Sequence, residues 1–269
     1  MNKTNTKQGS KPHFLDNKVN VLFLILGGFF VSNAIIAELI GIKLFSVEGI
    51  LGISSFDWTI LGVENLGLTM TAGVIIWPIV FIMTDIINEY FGIRGVRFLS
   101  FLTVGLIIYV FIAVFIAIIV VPDPWWQFES GNLGSREPVF DMQAAFERVF
   151  GQGLWIIAGS VIAFLVGQFL DVFVFHAIKK RTGEKLVWLR ATGSTIFSQM
   201  VDSFLVLTIA FYIGGDWDLV RVLAIGSVNF MYKFIMAIVL TPFIYLGHYM
   251  IDRFLGEEVS QRLKRQAGL

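Results

Sequence analysis

The chain has 269 residues, 56% of them hydrophobic, 15% aromatic and 15% charged, and its 20 acidic side chains balance its 20 basic ones. Its mean hydropathy of +0.78 is far above soluble averages. So few charges cannot cover a water-exposed surface of this size, so the class is a helical integral membrane protein. The absence of cysteine excludes disulfides, thiolate catalysis and cysteine metal sites.

The first 18 residues are polar and the apolar run after them is too long for a signal-peptide core, so no cleaved leader is expected. Residues 1–19 read as a tail. Six apolar stretches then reach the roughly 20 residues a crossing requires. They lie near 20–43, 67–91, 96–121, 152–178, 192–213 and 221–250. The fold expected is all-α, with six transmembrane helices forming one domain over 20–250 and a second tail over 251–269. The 98–121 region alone lacks charge and suits a lipid-facing scaffold helix.

Between the third and fourth stretches lies a long connection, 122–151. It ends in VFDMQAAFERVF, which puts Val139, Met142, Phe146 and Val149 on one helical face. That spacing predicts a short amphipathic helix on the outer surface or over a cavity. PDPWW, before it, reads as an interfacial aromatic belt. In GGDWD, Asp218 is placed to cap the last helix.

Basic residues set the orientation. Lys3, Lys7, Lys11 and Lys18 lie in the N-terminal tail, and Arg94 and Arg97 in the turn over 92–97. Lys179, Lys180, Arg181, Lys185 and Arg190 follow in the next connection on that side, and Arg253, Arg262, Lys264 and Arg265 in the last tail. The opposite side has only Arg136, Arg148 and Arg221. Both termini are therefore expected in the cytoplasm. Three spans plus three would invert the second half relative to the first, as in many carriers.

Seven ionisable residues interrupt or flank the spans: Glu38, Lys43, Asp85, Glu89, Asp171, Asp202 and Lys233. Charges at the bilayer centre cost several kcal/mol, so such groups pair or line a cavity. Counting about 1.5 Å per helical residue from the cytoplasmic flank puts Asp171 roughly 12 Å deep, Asp85 roughly 13 Å, Asp202 roughly 18 Å and Asn33 roughly 22 Å. Lys233 falls near mid-membrane. Five helices thus place polar groups in one belt. Asn229 and Lys233 share a face, and Ser194, Ser198 and Asp202 form another stripe. Gln168–Asp171 and Gln199–Asp202 repeat a Q-x-x-D pattern on consecutive helices, setting an amide fork beside a carboxylate. Bland alternatives stay open. Glu89 could be interfacial, paired with Arg94 or Arg97. Glu38 and Lys43 could snorkel, His176 could sit at the interface, and Asp171 or Asp202 could bond structurally to Lys233.

No hydrolytic motif, histidine cluster or phosphate loop is visible, which speaks against a membrane enzyme. No cofactor or metal is implied. The pattern suits a small-molecule carrier with a midplane site. The candidate binding set is Asp85, Asp202, Gln199, Gln168, Asp171, Asn33, Asn229, Lys233 and Glu89.

Across roughly 20–250, the chain resembles the queuosine precursor transporters, a bacterial six-helix family grouped with vitamin uptake transporters. The resemblance is carried by VSNAIIAELIGIKLF, FIMTDIINEYFG, FLVGQFLDVFVFHAIKKRTGEKLVWLR, GSTIFSQMVDSFLVL and SVNFMYKFIMAIVLTPFIY. Lys43 matches a lysine the family often shows, whereas Glu38 has no clear counterpart. The resemblance implies a multi-pass protein of the bacterial cytoplasmic (inner) membrane. It implies uptake of 7-deazaguanines such as 7-cyano- or 7-aminomethyl-7-deazaguanine, with no nucleic-acid partner. A guanine edge sets an N1–H beside an amine, a fork one carboxylate accepts, while its O6 takes a donor. Phe81, Trp77 and Phe197 are candidates to stack on the ring. A substrate-binding subunit needing a separate energising module is the second reading, and a membrane enzyme or structural bundle the third. Coupling through a proton on Asp171 or Glu89, facilitated diffusion with trapping, and a homodimer are left open.

Overall fold

A computed structural model describes residues 14–129, 141–151, 153–183 and 186–267. The first 13 residues of the tail expected over 1–19, with Lys3, Lys7 and Lys11, lie outside them, as do Arg136, Glu137, Val139 and Lys185.

Helices dominate: α1 (Lys18–Ile40), α2 (Val47–Leu51), α3 (Trp77–Ile119), α4 (Met142–Phe150), α5 (Leu154–Thr182), α6 (Val187–Leu207), α7 (Leu219–Leu255) and α8 (Glu257–Ala267). Of these α1, α3, α5, α6 and α7 are long and apolar enough to cross a membrane. The caps follow local chemistry. Asn17 accepts the Val19 N–H at 2.9 Å, Asp141 that of Ala144 at 3.1 Å and Asp218 that of Arg221 at 2.7 Å. A helix, α4, stands in the stretch where a short amphipathic one was expected, with Val139 of the expected face outside the described residues, and Asp218 caps α7.

A straight helix of 43 residues would run about 65 Å, twice a bilayer core. Within α3, Gly92 leaves the helical region at φ 65°, ψ −170° and divides it into two arms. A Cβ at Gly92 would lie 3.0 Å from the Ala267 carbonyl oxygen, so both backbone angle and space demand glycine there. Both arms pack on α1. Phe23 of α1 meets both Phe91 and Phe98, and Ile118 at the far end accepts a hydrogen bond from Gln143 of α4 at 2.8 Å.

The stretch expected to span from residue 67 is helical only from Trp77, where Pro78 suits a first turn. Before it, β4 (Thr69–Thr71) pairs antiparallel with β1 (Leu44–Ser46), and β2 (Trp58–Ile60) pairs with β3 (Val63–Leu66). These ribbons add a small β element to the helical fold. Glu48 ties them together: its carboxylate accepts the Leu68 N–H at 2.7 Å and the Ser46 hydroxyl at 2.9 Å. We call this the ribbon end of the bundle.

The opposite, basic end gathers the start of α1, the Gly92 break, the α5–α6 connection and α8. The segment after 251 is no loose tail. Asp252 of α7 accepts from Ser260 and, at 2.9 Å, from Lys264 of α8. Asp252 also accepts from Tyr90 at 2.6 Å, while Val259 and Leu263 pack on the main apolar core. That core joins Leu26 and Phe30 of α1, Val80 and Leu99 from the two arms of α3, Phe164 of α5, and Ile251 and Leu255 of α7.

Candidate substrate site

Between α3, α6 and α7 lies a narrow cleft of about 30 Å³, which must widen to admit a small molecule. Trp77, Pro78, Phe81 and Ile82 form one wall, and Leu240 and Ile244 another. Its polar groups are Asp85, Thr192, Thr195, Gln199 and Lys233. Each comes from a helix that is otherwise apolar, and the helical period turns them to a common side.

Two polar atoms in this wall are unspent. Asp85 Oδ1 and Gln199 Nε2 are buried without a hydrogen-bond partner. One is an acceptor and the other a donor. Buried polar groups are ordinarily satisfied, so such atoms beside an empty cleft mark where a ligand would supply the bonds.

A larger recess of about 1190 Å³ opens at the ribbon end. Glu38, Lys43, Glu147, Arg148, Asp202 and Asn229 line it with Trp77 and Lys233, which also line the cleft. Lys233 Nζ meets Asp202 Oδ2 at 2.5 Å. This ion pair therefore stands at the boundary between recess and cleft. Glu38, a buried carboxylate, accepts a hydrogen bond from Ser160.

Behind the cleft is a second polar layer without exposed surface. Gln168 accepts from Thr84 at 2.9 Å, and its Nε2 is unpartnered. Asp171 Oδ1 lies 3.3 Å from Thr195 Oγ1, which is also 3.3 Å from Asp85 Oδ2. Toward the basic end, Glu89 accepts from Arg190 at 2.8 Å and lies 3.5 Å from Lys179, and His176 Nε2 meets Asn88 Oδ1 at 3.1 Å.

The nine candidate residues thus divide. Asp85, Gln199 and Lys233 share the cleft; Asp202 and Asn229 line the recess with Lys233; Asp171 lies one hydrogen bond behind the cleft through Thr195, and Gln168 is bonded to buried Thr84. Asn33 is buried in α1 with its amide donating to the Phe29 carbonyl at 2.7 Å, and lines neither space. Glu89 is engaged with Arg190 and Lys179, a longer-range partnership than the expected Arg94 or Arg97, since Arg190 starts α6 directly opposite. Trp77 and Phe81 are cleft walls, whereas Phe197 is 42% exposed on the outside of α6. Lys43 lines the recess. Sequence reasoning passed over Thr192 and Thr195. Their signal is the density of hydroxyls along TGSTIFS, which is unusual for an apolar span.

A family model described as "putative vitamin uptake transporter" matches residues 71–247. Curated relatives carry a related name. The chain is 31% identical to the "probable queuosine precursor transporter" of Bacillus subtilis over 196 residues, covering 70% of this chain and 76% of that one. It is 28% identical over 184 residues to a protein of the same name from Haemophilus influenzae, covering 68% and 70%. It is 27% identical over 199 residues to the "queuosine precursor transporter" of Escherichia coli, covering 72% and 80%. No solved structure matches. The chain belongs to this transporter family.

Proposed function

We propose that this multi-pass membrane transporter imports queuosine precursors, the 7-deazaguanines, across the bacterial cytoplasmic membrane. The two arms of α3 count as separate spans, giving six, with the basic end in the cytoplasm and the ribbon end outside. The substrate reaches the cleft through the recess and leaves by alternating access around it.

The observation that carries this reading is the complementary pair of unspent atoms. Asp85 Oδ1 accepts the N1–H and amine of a guanine edge, and Gln199 Nε2 donates to O6. Trp77 and Phe81 flank a flat ring. A base lacking those donors would leave Asp85 unpaired in a buried wall, so the site rejects it strongly. The names of the relatives support the same substrate class.

The test is uptake of labelled 7-cyano- and 7-aminomethyl-7-deazaguanine by cells lacking their own carrier and any separate energising module. Uptake only when such a module is supplied would make this chain a binding subunit. Wild-type uptake by Asp85→Asn and Asp202→Asn, at equal expression, would sink the site.

A further inference from the structure

Thr195 stands between two carboxyl groups with only one hydrogen to give. Its Oγ1 is 3.3 Å from Asp85 Oδ2 and 3.3 Å from Asp171 Oδ1. A hydroxyl donates one hydrogen and otherwise accepts. With both carboxyls ionised, it could satisfy one and would present a lone pair to the other. Both contacts are attractive only when one carboxyl carries a hydrogen of its own.

Among the described residues, the only other relief comes from neutral serine hydroxyls, which are shared with backbone carbonyls. Asp171 has no exposed surface and Asp85 is 2% exposed. Asp85 Oδ1 and Asp171 Oδ2 have no partner. Ser198 Oγ is 3.4 Å from Asp171, but its hydrogen is engaged at 3.0 Å by the Thr195 carbonyl. Ser194 donates at 3.0 Å to the Ala191 carbonyl. The charged groups on the neighbouring elements are committed elsewhere. On α7, Lys233 bonds Asp202, while Arg190 of α6 and Lys179 of α5 meet Glu89 of α3. His176 of α5 faces Asn88. Two buried carboxylates this close, without a cation bonded to either, do not both ionise.

We propose that Asp85 and Asp171 hold one proton between them through the Thr195 hydroxyl, and that its hand-over from Asp85 to Asp171 frees Asp85 to bind substrate. The hand-over rests on the substrate reading; the shared proton does not. In the empty cleft the proton sits on Asp85 Oδ2, which donates to Thr195 Oγ1, which donates to Asp171 Oδ1. A substrate whose N–H groups bind Asp85 needs it as carboxylate. The proton then passes from Asp85 to Thr195 Oγ1 as the threonine's own hydrogen passes to Asp171 Oδ1. No charge is created or lost. Asp171 stores the proton while the substrate occupies Asp85.

Two measurements on the full-length protein test this. Infrared spectroscopy at neutral pH should show a protonated-carboxyl C=O band that Asp171→Asn removes. Its absence from wild type, or its persistence undiminished in the variant, overturns the shared proton. In the same spectra, saturating 7-cyano-7-deazaguanine should shift that band without removing it, as the proton moves from Asp85 to Asp171, and Thr195→Val should abolish the shift. Loss of the band on binding, or a full shift in Thr195→Val, overturns the hand-over. A carboxyl band with no binding of either deazaguanine leaves the proton pair standing and removes the substrate reading alone.

Discussion

Arg190 at the start of α6 donates from Nη2 to Glu89 Oε1 of α3 at 2.8 Å, and both side chains are 2% exposed. A second guanidinium nitrogen donates to the Gly183 carbonyl at 3.0 Å, so the residue also closes the α5–α6 connection. Removing one partner of a buried pair costs about 3–5 kcal/mol, because the other charge stays buried. Glu89→Gln and Arg190→Met should each lower the thermal midpoint of the purified protein sharply. A Glu89→Gln/Arg190→Met double variant should recover much of that loss. Two losses that simply add would show that the pair does not act as a unit.

Asp85 and Gln199 have different weights in the cleft. A hydrogen bond to a charged group contributes about 1.5–3 kcal/mol, against about 1 for a neutral one. Asp85→Asn should weaken binding of 7-cyano-7-deazaguanine by roughly 10- to 100-fold and Gln199→Leu by roughly fivefold. Ligand-induced thermal stabilisation reads both. Adenine, which lacks the N1–H, should give no stabilisation of wild type.

The Lys233–Asp202 pair divides recess from cleft, so its loss should change access more than affinity. With both partners only partly exposed, Lys233→Met leaves Asp202 uncompensated, and Asp202→Asn does the same to Lys233. Each single variant should slow uptake while leaving equilibrium binding within about threefold. A cysteine-labelling reagent applied outside should reach an engineered cysteine at Thr192, inside the cleft, faster in either variant than in wild type. Unchanged labelling would show that the pair is no barrier.

Acid should loosen the ribbon end first. The Leu68 N–H, followed by the Ser46 hydroxyl among smaller contributions, holds the Glu48 carboxyl below its ordinary value against an opposing effect of burial. Because the folded value is the lower one, the stabilisation is fully present above the ordinary carboxyl range. It is lost as pH falls through the folded value. Fluorescence of Trp58, packed in the ribbon-end cluster, should report a transition below pH 4.5. Glu48→Gln should remove that transition. An identical acid profile in the variant would assign it to another group.

The sequence determined the parts that depend on local composition. Apolar runs long enough to cross a membrane became α1, α5, α6 and α7, and the charge-free region beyond Gly92 became the second arm of α3. Asp218 capped α7 because an N-cap needs only its own next turn. The polar residues of the spans were also legible, because a charge costs too much in hydrocarbon to be placed at random. Tertiary structure decided who meets whom. The β1–β4 ribbon joins residues more than 20 positions apart in three-residue strands, too short for any period to show, so residues 67–76 read as part of a span. The Q-x-x-D repeat looked like one device used twice, but helix rotation sent Gln199 to the cleft, Asp202 to the recess, and Gln168 with Asp171 behind. Depth along a helix follows from counting at 1.5 Å per residue, whereas direction around the axis is fixed by the neighbours it packs against. That is why Thr195, one hydroxyl among several in TGSTIFS, comes to stand between two carboxyl groups 86 positions apart in the chain, at Asp85 and Asp171.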